Sequence, residues 1–399
     1  MQLKVIEESI NSNKPKFIEN EKRINELIKY LEHYNIDKYV EVIEDWLNSV
    51  KNNPVFEKII HETTSNQYTY PYSPKYWPYG ESQWNIVKKI LLNFITTKTA
   101  TALYGPPGTG KTVLAEASAN VFFKVLDKYI DLPDWAKKFT LYQMNPSSVK
   151  SAIWLSKEPT SNNGTLEFRY VPQFLLLSRA LGHVALLDEF THAPEDIQGF
   201  LNSIFELSEV DIPSYGKLPV SPLSKLVIAY NPPSWSNTAR SLSYTIENRV
   251  SLKILVDMPS REDLLTLAKG ETDAPDFLIK YAVSLVLEAR KQNSKSSIRQ
   301  ILSLCKILSR DIKVLTEKEF PEVHSKILKL ANQDDKVFIK RVAERLWIQD
   351  DDVLKILSNK EYRSFISLLN ETGFSDFVEL VTGILHEEEW HGLVLDQLP

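Results

Sequence analysis

Apolar residues along this chain keep different spacings in different stretches, and each spacing predicts a different kind of structure. Up to about residue 65 the spacing is helical. Ile24, Leu27, Ile28 and Leu31 fall at i, i+3, i+4 and i+7, and Val40, Ile43, Trp46 and Leu47 continue the pattern. Residues 1–65 therefore read as a small helical module that carries no candidate chemistry. From 81 to 259, short apolar runs alternate with helical stretches, the signature of a sheet with crossover helices. The predicted strands are 99–104, 139–143, 183–187 and 225–230. Residues 260–316 are helical throughout, and the same period runs on through most of 317–399.

Residues 66–80, NQYTYPYSPKYWPYG, break the pattern: five tyrosines and three prolines cannot continue a helix. Two readings stay open here. The segment is a stiff linker strapped over the next domain by its rings, or its end, Trp77 to Gly80, covers a bound base.

Composition narrows the class of molecule. The chain has 399 residues, 43% of them hydrophobic and 25% charged, which is ordinary for soluble globular protein of two or three domains. No apolar run approaches the roughly 18 residues that span a bilayer, and the first residues, MQLKVIEESINSNKPKF, lack an apolar signal core. The single cysteine, Cys305, excludes an internal disulfide framework and fits a reducing, cytoplasmic setting; in ILSLCKIL it reads as a small core residue. A net charge of −5 provides no global basic field for nucleic acid. The sequons at Asn163 and Asn370 read as turn and helix-end residues. His386 and His391 are five apart, a spacing that does not bring two rings to one helix face.

Candidate chemistry concentrates at the ends of the predicted strands. Of twelve glycines, Gly105, Gly108 and Gly110 fall within YGPPGTGKT, which fills the template G-x-x-x-x-G-K-[ST]. Around Pro106, Pro107 and Thr109, such a loop turns backbone N–H groups toward a phosphate that side chains would block. Lys111 can reach the β- and γ-phosphates, the Thr112 hydroxyl can ligate magnesium, and from Val113 a helix over 113–123 presents its N-terminus to the anion. The next strand, in GHVALLDEF, delivers Asp188 for the metal and Glu189 to polarise an attacking water. A third, KLVIAYNPP, ends on Asn231, whose amide can touch the γ-phosphate or orient that water without adding charge. Arg249, before a further strand-like stretch, and Arg299, near a helix start, are candidate cations for the developing phosphoryl charge.

With these elements in order, residues 81–316 resemble the AAA+ ATPases, and within them the MoxR-like branch. Further marks of the resemblance are the helix after Ala193-Pro194, a hairpin turning at Asn163-Gly164 with Leu166, Phe168 and Tyr170 alternating, and a second hairpin before Asn231. The resemblance implies an α/β P-loop core with a central parallel sheet over 81–259 and an all-α lid over 260–316. It makes Lys111 and Thr112 Walker A, Asp188 and Glu189 Walker B, Asn231 sensor 1, Arg249 the finger acting in trans and Arg299 sensor 2, with Gly105 to Val113 binding the nucleotide. Where the family has Pro-Ala and Phe around the finger, this chain has Tyr244-Thr245 and Val250, which leaves Arg240 in reserve. The resemblance further implies ATP and Mg2+, a ring homo-oligomer of six, and a protein client, with a von Willebrand A domain protein as a candidate partner. The alternatives are a nucleic-acid-translocating motor, a metal-insertion or enzyme-activation subunit, and a scaffold gated by nucleotide.

Overall fold

Three amphipathic helices, α1 (19–32), α2 (Ile36–Val50) and α3 (Pro54–Ser65), begin the described chain. Their apolar stripes are buried as the spacing predicts: Ile24, Leu27 and Leu31 on α1, Val40, Ile43 and Trp46 on α2. The protein's structure, a computed structural model, describes residues 19–65, 71–162, 165–205, 207–213, 216–235, 241–272, 274, 276–291 and 297–314. Asn163, Gly164, Arg240, Asn370, His386 and His391, with all of 317–399, lie outside the described residues.

After the helices, α4 (Gly80–Thr96) leads to β1 (Ala100–Tyr104), and the glycine-rich loop leads to α5 (Lys111–Leu126). Next come β2 (Phe139–Gln143), the single turn α6 (Lys150–Ile153), and an antiparallel hairpin of β3 (Leu155–Asn162) with β4 (Thr165–Pro172). α7 (Phe174–Leu181) returns the chain to β5 (Val184–Asp188). A 3-10 turn (Phe190–His192) and α8 (Glu195–Ile204) precede a second hairpin, β6 (Glu209–Ile212) with β7 (Gly216–Pro219). β8 (Lys225–Tyr230), the short α9 (Tyr244–Glu247) and β9 (Val250–Leu255) complete the αβ portion. α10 (Arg261–Glu271), α11 (Asp276–Lys291) and α12 (Ile298–Val314) follow.

Five strands form one sheet in the order β2-β5-β8-β1-β9, and every neighbouring pair is parallel. Position in that order explains the sequence patterns. β8, in the middle, is buried at all six positions, and β1 and β5 at four of five, so they read as continuous apolar runs. β9, at one edge, alternates, with Val250 and Ile254 in and Ser251, Lys253 and Leu255 out or half-buried. The other edge, β2, is covered by Tyr72, which exchanges two backbone hydrogen bonds with Phe139 (3.1 and 2.8 Å). From there the tyrosine-rich segment is fixed to α5. Glu116 accepts from the Tyr72 hydroxyl (3.0 Å) and the Lys75 N–H (3.1 Å), and Asn120 donates to the Tyr76 carbonyl (2.9 Å). Residues 72–76 are thus a strap, held by two polar side chains of a helix that is otherwise buried almost all round.

The described residues group into two compact units. The first is drawn from Met1–Pro78, Gln83–Pro106 and Gly110–Asp257; the second from Tyr79–Ser82, Pro107–Thr109 and Met258–Pro399. In the first, one apolar cluster runs from α1–α3 into the sheet layer: Trp46 and Phe56 meet Trp135 edge-on (6.0 and 5.0 Å), and Tyr39 meets Phe122 (6.3 Å). Aromatic pairs in such geometry add about 0.5–1.5 kcal/mol each beyond their buried area. In the second, Ser260 caps α10 by accepting from the Asp263 N–H (3.1 Å), and Asp263 in turn accepts from the N–H groups of Glu81 and Ser82 (3.1 and 3.2 Å). Cys305 is fully buried there, and burial pushes its thiol up to about 11, as befits a core residue. Among the described residues no helix is long and apolar enough to cross a membrane.

Candidate active site

Sheet order is what brings distant sequence motifs together. β5, β8 and β1 are adjacent and parallel, with Leu187 level with Ile228 and Tyr104 level with Tyr230. The segments leaving their C-terminal ends, where parallel sheets hold ligands, therefore emerge side by side. These segments carry the glycine-rich loop, Asp188-Glu189 and Asn231.

The glycines adopt backbone conformations closed to other residues: φ is +152° at Gly105, +72° at Gly108 and +88° at Gly110. Two of them also have no room for a side chain. A Cβ on Gly105 would collide with the Val256 carbonyl, and one on Gly108 with Ser297. The Gly108 carbonyl, within the second unit, accepts from the Ile298 N–H at the start of α12 (3.1 Å).

In the first unit, Lys111 and Thr112 open α5 and join the motifs. The Lys111 ammonium donates to the carbonyls of Gly105 (3.0 Å) and Pro106 (2.7 Å) and to Asn231 Oδ1 (2.8 Å). The Thr112 hydroxyl donates to Asp188 Oδ2 (2.6 Å), while Asp188 Oδ1 accepts from the Glu189 N–H (2.9 Å). Burial pushes the Lys111 amine down to about 8, and the Asp188 carboxylate opposes the shift, so the group stays largely charged at neutral pH. A buried cation fixed by three oxygens, beside a hydroxyl and a carboxylate 2.6 Å apart, suits a polyphosphate with a hard divalent cation.

Glu189 is the most unusual backbone in the site. It has φ 51° and ψ 38°, in the left-handed region that costs a side-chain-bearing residue about 1–2 kcal/mol. Among the described residues the other non-glycine residue with positive φ is Asn35, and asparagine tolerates that region. Glu189 is the N-cap of the 3-10 turn, whose Phe190 and Thr191 are buried and whose His192 puts Nδ1 3.4 Å from Glu189 Oε2.

Not all predicted residues enter these bonds. Arg249, half-buried between α9 and β9, donates from its guanidinium to Asn202 Oδ1 on α8 (2.6 Å). Arg299 is exposed in the first turn of α12, behind the Ser297 N-cap. Val113, on the first turn of α5, is exposed at 37%. His192 was not singled out by sequence pattern. Its signal is the spacing D-E-x-x-H, which acquires meaning only once the turn is known to be 3-10, closed by the hydrogen bond from the His192 N–H to the Glu189 carbonyl.

Residues 100–250 match the sequence model of the AAA domain, dynein-related subfamily. No curated protein matches the chain. Among solved structures, a candidate ATPase from Cytophaga hutchinsonii is 16% identical, covering 68% of this chain and 76% of its own, with a TM-score of 0.35. NtrX from Brucella abortus is 15% identical over 70% of this chain and 68% of its own, with a TM-score of 0.38. Likenesses this loose fix neither fold nor function. Strand order, glycine loop and domain match converge instead on one statement: residues 100–250 carry the α/β P-loop core of an AAA+ ATP hydrolase.

Proposed function

We propose that this chain is a MoxR-like AAA+ ATPase that works as a hexameric ring in the cytoplasm and uses ATP hydrolysis to remodel or activate a protein client. The observation that carries the reading is the convergence of Lys111, Thr112, Asp188, Glu189 and Asn231 at one edge of the sheet. Lys111 holds the β- and γ-phosphates, and Asn231 stands beside it as sensor 1. Thr112 Oγ1 and Asp188 Oδ2 are the hard oxygen donors that would hold Mg2+, which supplies neutralising charge for the phosphate oxygens. Glu189, just beyond the strand end, takes the proton of the attacking water.

Arg249 acts in trans as the finger and Arg299 as sensor 2, so turnover depends on assembly. The client is a protein, with a von Willebrand A domain protein as the partner the resemblance suggests; the acidic balance of the chain supports this over nucleic acid. Light scattering of the Glu189→Gln variant with ATP and Mg2+ tests the ring. A six-copy particle is expected, and a monomer at saturating ATP contradicts it. DNA-stimulated turnover that falls steeply with salt would replace the protein client by nucleic acid.

A further inference from the structure

Glu189 reaches its position at a cost, and the turn that imposes the cost also supplies a neighbour. The left-handed backbone is locked on both sides. The Glu189 N–H donates to Asp188 Oδ1 (2.9 Å), and the Glu189 carbonyl accepts from the His192 N–H (2.9 Å). Phe190 and Thr191 are buried at 0% and 1% exposure, so the turn cannot swing without opening the core. The i to i+3 hydrogen bond draws His192 back toward Glu189. The His192 ring accordingly lies against the Glu189 carboxylate, Nδ1 to Oε2 at 3.4 Å, with the side chains 21% and 37% exposed. Left alone, a glutamate that open to solvent would sample several rotamers. A base that must meet one water needs one rotamer held within hydrogen-bond reach.

We propose that His192 is a positioning residue for Glu189: its Nδ1–H holds one carboxylate oxygen, leaving the other for the lytic water. The inference rests on Glu189 being the base. The ring touches neither Lys111 nor Thr112 through any of their hydrogen bonds, so its work falls on turnover and leaves nucleotide affinity alone.

ATP turnover and nucleotide affinity of His192→Leu, His192→Asn, Glu189→Gln and the Glu189→Gln/His192→Leu double variant test this. Leucine fills much of the ring's volume without a donor, whereas the asparagine amide reaches the place of Nδ1. The expected result is a kcat roughly tenfold or more lower in His192→Leu, nucleotide Kd within about twofold, and most of kcat restored in His192→Asn. In the Glu189→Gln background the leucine should have no further effect. If leucine disturbs folding, His192→Ala replaces it, with the same contrast to asparagine. Equal kcat in the leucine and asparagine variants, or a kcat loss matched by a loss of affinity, overturns the inference. If Glu189→Gln is inactive while His192→Leu turns over normally, only the inference falls; if Glu189→Gln turns over normally, the base assignment falls and takes the inference with it.

Discussion

Two buried lysines sit at opposite ends of one sheet, and their surroundings differ in kind. Lys111, past the C-terminal end of β1, has three oxygen acceptors and a carboxylate close enough to support its charge. Lys225 is the first residue of β8, level with Val184 at the start of β5, and so lies at the N-terminal edge. Its ammonium stands over the Tyr39 ring at 4.8 Å and has no carboxylate partner among the described residues. Burial, reinforced by Arg179 and Lys98, pushes it down to about 7. Neighbouring groups share the deficit. Arg179, pushed down to about 10 by burial, makes only long bonds to Ser224 (3.4 Å) and the Leu207 carbonyl (3.3 Å), and its Nε finds no partner among the described residues. His183 is pushed down to about 4, chiefly by burial, and stays neutral. A buried charge with prepared acceptors marks where chemistry is done. One without them is a load on the fold.

Substituting methionine at each position should separate the two cases. Lys111→Met is expected to weaken nucleotide binding by about 100-fold or more, read by titration with a fluorescent nucleotide, without lowering Tm. Undiminished affinity would remove Lys111 from the phosphate site. A second effect follows from the depressed amine. Phosphate needs the charged form, so nucleotide Kd should rise as pH climbs through about 8, by up to tenfold per pH unit. A flat Kd between pH 7 and 9 would contradict that. The smallest effect is expected at the other edge. Lys225→Met should raise Tm by roughly 2–6 °C at pH 7 and leave nucleotide affinity unchanged. The sign follows from linkage. The folded-state value of about 7 lies below the free-lysine value of 10.5, so the unfolded chain binds more protons between those values. Wild-type stability gains from this group as pH rises across that window, and the methionine variant's advantage should shrink toward pH 10. A lower Tm for Lys225→Met would show that its packing on Tyr39 outweighs its charge.

This contrast also marks how far the sequence could be read. Central strands are legible because burial on both faces demands unbroken apolar runs. Among the central strands, predicted 225–230 coincides with β8, 99–104 starts one residue before β1, and 183–187 is shifted one residue toward the N-terminus of β5 at both ends; predicted 139–143 coincides with the edge strand β2. The motif residues are legible because a polar residue must follow each run at the ligand edge. Predicted helix 113–123 is shorter than α5 because burial all round erases the period that would have marked its ends. Neither the His192 contact nor the Lys225 group could be read this way. The first depends on the pitch of one turn. The second assembles Arg179, His183 and Lys225 with Tyr39 from far up the chain, a pairing that no local spacing records. The stripes of α1–α3 announce that those helices bury a face, but not that the face joins the cluster beneath the sheet.

The central claim is that the C-terminal edge of this sheet binds ATP and cleaves it with Glu189 as the base. Glu189→Gln keeps the shape and removes the proton acceptor, so steady-state ATP hydrolysis measured beside nucleotide affinity tests it most directly. Turnover should fall by about 100-fold or more while Kd stays within roughly threefold. Hydrolysis at the wild-type rate by the glutamine variant would contradict the account.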